Sequence, residues 1–238
     1  MRARSFGSNA DAYERTRPLY PEEAVRWVVG DDPRRILDLG AGTGKLTRSL
    51  VALGHDVIAV EPSSEMIGQL RLALPGVEAL EGAAERIPIP PGRVDVVTAG
   101  QAFHWFDAEL ALPEIARVLR PGGTIGLLWN LWDEESSLVA RMYDLLPPFG
   151  GAGEPEPTAS LERSELFGPL EEASFNWTRT LLREELVEGV GTQSSVATLS
   201  GADRADRLAA VGRFWDEESA GGVLELPYRT HAYRANRL

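Results

Sequence analysis

Over the first 130 residues, short continuous apolar runs alternate with stretches whose apolar residues recur at helical spacing. That pattern predicts strands alternating with helices around a parallel sheet. Ile36 to Leu39 predicts a strand buried on both faces, His55 to Glu61 a second, Val77 to Leu80 a brief third and Val94 to Ala99 a fourth; Thr124 to Trp129 gives a fifth, closed by Asn130. Between them, Leu46, Leu50, Val51 and Leu53 mark one helix. A second opens at Pro62-Ser63-Ser64-Glu65-Met66 with Ser63 or Ser64 as its cap, and Asp107 caps a third, with Leu110, Leu112, Ile115, Val118 and Leu119 turned to the sheet. Arg120-Pro121-Gly122-Gly123 reads as the turn into the fifth strand. Ahead of the sheet lie a polar, helical arm from Ser8 to Arg17 and an amphipathic helix from Glu22 to Val29. Beyond Asn130 the pattern gives a helix over Leu138 to Leu146, a proline- and glycine-rich lid or bend over Pro147 to Pro157, and an alternating strand over Glu171 to Arg179. Short helices follow at 183 to 189 and 192 to 199, then a longer one from Asp203 to Glu218 and a last strand from Val223 to Tyr233.

The junction of the first strand with its helix, Leu37-Asp38-Leu39-Gly40-Ala41-Gly42-Thr43-Gly44-Lys45, carries the clearest chemistry. Glycine reaches positive φ and lets a ligand lie against bare backbone, and the first-turn amides of the helix face that ligand. A dinucleotide turn has the spacing G-x-G-x-x-G; here the glycines stand at 40, 42 and 44, and Lys45 takes the third glycine's place. Asp38 at the mouth of the turn would repel a pyrophosphate. It suits a ligand with positive charge and hydrogen-bond donors, and S-adenosylmethionine has both in its sulfonium and ammonium groups. Glu61 lies 21 positions beyond Gly40, the distance at which an acid ending the second strand accepts hydrogen bonds from ribose hydroxyls. Met66 offers a soft apolar surface to an adenine, or simply fills core. Gln101-Ala102-Phe103-His104-Trp105-Phe106 follows the fourth strand, at the strand ends where open α/β sheets place ligands.

Composition narrows the partners. The formal net charge of the 238 residues is −12, which disfavours a long nucleic-acid footprint. There is no cysteine, so disulfides, thiolate metal sites and cysteine nucleophiles are excluded. His55, His104 and His231 are too scattered to predict a metal site. The polar N-terminus and the lack of an apolar run near ~20 residues predict neither a secretory signal nor a membrane span; the expectation is a soluble cytoplasmic protein, monomer or homodimer.

With Leu37-Asp38-Leu39-Gly40-Ala41-Gly42-Thr43-Gly44, Val60-Glu61-Pro62-Ser63, Glu81-Gly82-Ala83-Ala84-Glu85, Phe103-His104-Trp105-Phe106 and Leu119-Arg120-Pro121-Gly122-Gly123 in succession, the chain resembles a class I S-adenosylmethionine-dependent methyltransferase of the small-molecule group. The lead-in Tyr13 to Pro21 also resembles a bacterial subgroup related to trans-aconitate methyltransferases. The resemblance implies one α/β domain over 1–238, with a Rossmann-like seven-stranded, mostly parallel sheet, an antiparallel last strand and helices on both faces. Residues 1–30 would form an arm or lid, 34–130 the cofactor-binding half, and 131–170 and 182–220 acceptor-side cap elements. The implied cofactor set is Tyr13, Arg17, Asp38, Gly40, Ala41, Gly42, Glu61, Pro62, Met66, Ala84, Glu85 and Gln101. Asp38 would hold the methionine ammonium, Glu61 the ribose and Met66 the adenine. Where relatives place an acid to read the adenine amino group, this chain has Ala83, which leaves that task to backbone near Ala84 or to Glu85.

The implied reaction yields S-adenosylhomocysteine and a methylated small-molecule acceptor, with a hydroxyl or carboxylate oxygen favoured. For a hydroxyl, His104 is the candidate base; for a carboxylate no base is needed, and Arg17, His104 or another donor orients the acid. A purely structural His104, packed among Phe103, Trp105 and Phe106, is the competing reading. Trp105, Trp129, Trp132 and Phe149 are candidate pocket walls. Rival classes are a fold that binds the cofactor without transferring methyl, as a cyclase or binding module, and a nicotinamide oxidoreductase, which the glycine spacing disfavours.

Overall fold

The computed structural model describes residues 16–147 and 158–238. The Ser8 to Arg15 part of the arm, with Tyr13, lies outside them, as do Phe149 and most of the Pro147 to Pro157 bend. In chain order the elements are α1 Glu22–Val29, β1 Arg35–Leu39, α2 Lys45–Ala52, β2 Asp56–Glu61, α3 Ser64–Ala73, β3 Glu78–Glu81, β4 Val94–Gly100, α4 Ala108–Val118 and β5 Leu119–Trp132; then α5 Ser137–Tyr143, α6 Ala159–Glu162, β6 Glu171–Leu181, α7 Arg183–Gly191, α8 Ser194–Ala197, α9 Gly201–Glu218 and β7 Leu224–Asn236.

The seven strands form one sheet in the order β3-β2-β1-β4-β5-β7-β6. β1 to β5 pair in parallel, and β7 runs antiparallel between β5 and β6. Six strands therefore share a direction and the last is reversed. Burial on both faces follows the strand period of two. Leu37 and Leu39 join the core beneath α4, with Leu112, Ile115 and Leu127. Ile36 joins the opposite core, with Val25 and Val28 of α1 and Leu46 and Leu50 of α2. A third core, built on Val139, Met142, Leu186, Val190, Val211 and Phe214, packs α5, α7 and α9 against the far ends of β6 and β7.

Helix starts obey local chemistry. The Ser63 hydroxyl accepts the Met66 amide at 3.3 Å, and the Asp107 carboxylate accepts the Glu109 amide at 3.2 Å; both satisfy first-turn amides that have no partner within the helix. The fifth strand is longer than its apolar run. Val94 pairs with Leu119 and Val96 with Thr124, so the Arg120 to Gly123 turn bulges out of a continuing ladder. At the other end, pairing with β7 carries β5 past Asn130 to Trp132, opposite Tyr228. Antiparallel neighbours supply the hydrogen bonds that apolar periodicity alone does not predict.

One close approach fixes α1 on the sheet. A Cβ built on Gly126 of β5 would lie 2.0 Å from Val28 Cγ1, and Val28 is buried. Gly126→Ala should destabilise the fold by about 1–3 kcal/mol through overpacking. Combined with Val28→Ala, it should cost less than the sum of the two single changes. Denaturant unfolding of the four proteins reads this; strict additivity would show that the contact does not seat α1.

Candidate active site

Strand order reverses direction of growth at β1, with β2 on one side and β4 on the other. The carboxyl ends of β1 and β4 therefore flank the crevice where an open α/β sheet accepts a ligand. The Gly40 to Gly44 turn opens there, with φ of 68° at Gly40, 56° at Gly42 and 93° at Gly44. A Cβ at Gly40 would meet Ala102 Cβ at 2.7 Å, so the turn needs glycine there both for its dihedral and for space. The Gly40 and Ala41 amides both donate to the Val60 carbonyl, at 2.8 and 3.1 Å, which staples the turn to the end of β2.

Two buried carboxylates stand beside it. Asp38 is 1% exposed and accepts the hydroxyls of Thr47 at 2.6 Å and Thr98 at 3.3 Å. Burial pushes its carboxyl up to about 6, against the opposing pull of those hydroxyls. Glu61 accepts the Gly42 amide through Oε2 and the Ser63 amide through Oε1, each at 2.9 Å. Its pKa is raised by desolvation, which the two backbone bonds partly offset. A carboxylate oxygen takes more than one hydrogen bond, so both groups can accept from a ligand as well.

A cavity of about 330 Å³ opens over these groups, lined by Asp38, Gly40, Ala41, Gly42, Glu61, Pro62, Met66, Ala83, Ala84, Glu85, Gln101 and Phe106, among others. A second, of about 560 Å³, adjoins it beneath the third core and is lined by Arg17, His104, Trp132, Tyr143, Arg179, Leu186 and Tyr228, among others. Tyr20, Lys45, Gln101 and Trp105 line both. Gln101 is the one non-glycine residue with positive φ among the described residues, at 55°, a conformation that persists only where its surroundings hold it. Its amide donates to Leu128 O at 2.9 Å and its side chain to Asn130 O at 2.7 Å, and these bonds pin it where the cavities meet.

A protein-family model described as a methyltransferase domain matches residues 37–127. An uncharacterized methyltransferase of Mycobacterium tuberculosis is 42% identical over 234 residues, covering 97% of this chain and 95% of that protein. A solved chain from Anaeromyxobacter dehalogenans, assigned to the type II methyltransferases, superposes with a TM-score of 0.67 at 27% identity, over 93% of this chain and 97% of that one. The chain belongs to the class I S-adenosylmethionine-dependent methyltransferases. The malonyl-[acyl-carrier protein] O-methyltransferase of Methylococcus capsulatus is 34% identical over 149 residues, 58% of this chain and 54% of that protein.

Of the residues singled out from sequence, the methyltransferase fold gathers Asp38, Gly40, Ala41, Gly42, Glu61, Pro62, Met66, Ala84, Glu85 and Gln101 around the smaller cavity. Arg17 and His104 line the larger one. Glu85 Oε1 accepts the Asp107 amide at 2.9 Å, holding the Phe103 to Trp105 turn in place. Trp105 and Trp132 are cavity walls. Trp129 lines neither cavity; it is buried and donates from Nε1 to His104 Nδ1 at 3.3 Å. Sequence reasoning does not single out Phe106 as a lining residue, nor the bond from the Thr47 hydroxyl to Asp38. A threonine one turn into the helix after the glycine turn is the available signal for that bond.

The buried Asp38 has a measurable signature. Its folded pKa is raised from 3.8 to about 6, so the folded state binds the extra proton in that window. The group favours folding at the acid end and loses that contribution as pH rises through the window. The unfolding free energy of the wild type minus that of Asp38→Asn should therefore fall by ~3 kcal/mol between about pH 4 and 6 and level off above about 7. A difference independent of pH would show that Asp38 is not desolvated.

Proposed function

We propose that this methyltransferase moves the methyl group of S-adenosylmethionine onto an oxygen of a small-molecule acceptor, with the glycine-turn cavity holding the methyl donor and the adjoining cavity the acceptor. The carrying observation is that the cavities meet at Gln101, a residue held in a costly backbone conformation by two bonds to β5. A donor in one cavity and an acceptor in the other then share that junction.

The smaller cavity fits the donor by chemistry. Asp38 would face its ammonium, Glu61 the ribose hydroxyls, and Met66, Ala84 and Phe106 the adenine, with the bare backbone of Gly40 to Gly42 against the chain between them. The bound donor supplies an activated sulfonium methyl, so the protein's tasks are to align the acceptor atom and exclude water. Segment 16–21 contributes to both. Asn130 Nδ2 donates to the Leu19 carbonyl at 3.2 Å, and Thr230 Oγ1 donates to Asn130 Oδ1 at 2.6 Å, strapping the segment across the strand ends beside the larger cavity. The partial likeness to an O-methyltransferase supports oxygen as the acceptor atom.

Titration calorimetry tests the reading. S-adenosylmethionine should bind and NAD should not. Glu61→Gln should weaken binding by ~1.5–3 kcal/mol for each charged hydrogen bond lost, roughly tenfold to a hundredfold or more. NAD binding, or an unchanged dissociation constant in the variant, would contradict the assignment.

A further inference from the structure

A buried amide in the wall of the larger cavity makes no bond that the fold needs, and its place indicates how the acceptor is recognised; this inference rests on that cavity holding the acceptor. Leu186, Gly189, Val190 and Gln193 line the cavity from the side of α7, at the spacing i, i+3, i+4, i+7 of one helical face. The first three positions are apolar or bare, and the fourth carries a primary amide. Leu186 and Val190 also belong to the third core, so the stripe is an apolar wall interrupted by one polar group.

The backbone around Gln193 is fixed by three helices. Its N–H donates to the Val190 carbonyl of α7 at 3.0 Å, and its own carbonyl accepts the Val196 and Ala197 amides of α8 at 3.0 and 2.8 Å. Just before it, Arg204 of α9 donates through Nη2 to the Gly191 carbonyl at 3.2 Å. The side chain is treated differently. Gln193 is only 7% exposed, yet its Oε1 has no hydrogen-bond partner among the described residues. A buried acceptor without a donor is a standing cost to the folded state, and a native side chain in that condition calls for an explanation. Methionine has a similar length and would fill the place without the cost. A ligand that brings a donor removes the cost, since rotation about the last side-chain bond turns the amide oxygen to meet it.

We propose that Gln193 is the specificity-determining residue of the larger cavity: its side-chain oxygen accepts a hydrogen bond from a hydroxyl or N–H group of the acceptor, at a part of the wall that the smaller cavity does not reach. Gln193 lines the larger cavity alone, while Gln101 lines both. The group that is read therefore lies apart from the junction at which the methyl is passed. An analogue with a methyl in place of that hydroxyl has the right size but leaves Oε1 buried and unpaired, and a site built to bond a hydroxyl or N–H rejects such an isostere far more strongly than an apolar pocket rejects a small change of size.

Two measurements on the full chain test this. Calorimetry in saturating S-adenosylhomocysteine compares 4-ethylphenol with 4-ethyltoluene and indole with indene, pairs in which an O–H or N–H is replaced by a carbon group of similar size. At least one donor should bind at least tenfold more tightly than its isostere. Gln193→Met and Gln193→Leu should erase that preference, and neither should change the affinity for S-adenosylhomocysteine. Equal binding within both pairs, no binding by either donor, or a preference that survives the two substitutions would overturn the proposal. Thermal unfolding without ligand gives the second reading. Gln193→Met should melt about 2–4 °C above the unaltered protein, because it removes an unpaired buried acceptor and keeps the packing. A lower midpoint, or failure of both variants to fold, would show that the amide serves the fold and would overturn the proposal as well. Failure of the unaltered protein to bind S-adenosylhomocysteine would instead sink the reading of the smaller cavity, and donors that compete with S-adenosylhomocysteine would sink the division of the two cavities on which this inference rests.

Discussion

One carboxylate joins the two strand ends that define the site. Glu61 closes β2, and its oxygens take the amide of Gly42 from the turn after β1 and the amide of Ser63 ahead of α3. Each oxygen does a separate task, so the turn cannot drift from β2 without leaving a buried charge short of a donor, a loss larger than that of a neutral bond. The Gly40 and Ala41 amides on the Val60 carbonyl add a second tie at the same point. The positive dihedrals of the three glycines are thus held open by bonds from a neighbouring strand, and the backbone facing the crevice is set before any ligand arrives.

The chemistry divides along the packing. The two cores on either face of β1 to β5 hold the glycine turn, Asp38 and Glu61 in a rigid frame. The third core, beneath α5, α7 and α9, carries much of the larger cavity's wall. A polar chain links them. Trp177 Nε1 donates to Thr230 Oγ1 at 2.9 Å, Thr230 to Asn130, and Asn130 to the Leu19 carbonyl. Buried polar groups that are satisfied in this way hold a single arrangement. Donor recognition can therefore stay fixed in the frame while the residues that meet the acceptor come from the later strands and helices.

What could be read from sequence was local. The β1 turn, the acid ending β2, the Ser63 and Asp107 caps and the alternation of strands and helices are each encoded within a few residues of one another. What could not be read depends on contacts across the sheet. Thr47 reaches Asp38 only because α2 packs over β1. His104 accepts the indole N–H of Trp129, 25 positions away on the neighbouring strand, and Arg179 lines the cavity from the end of β6. The length of β5 beyond its apolar run follows from its pairing with β4 and β7, whereas β6 and β7 are announced by their own alternation to within a few residues of their ends.

If two cavities meeting at Gln101 divide donor from acceptor, a crystal structure of the chain with S-adenosylhomocysteine tests that division most directly. The ribose hydroxyls should lie within hydrogen-bond distance of Glu61, the amino group beside Asp38, and the sulfur at the Gln101 junction, facing the cavity of His104 and Arg179. A ribose remote from Glu61, or a sulfur turned away from that junction, would contradict it.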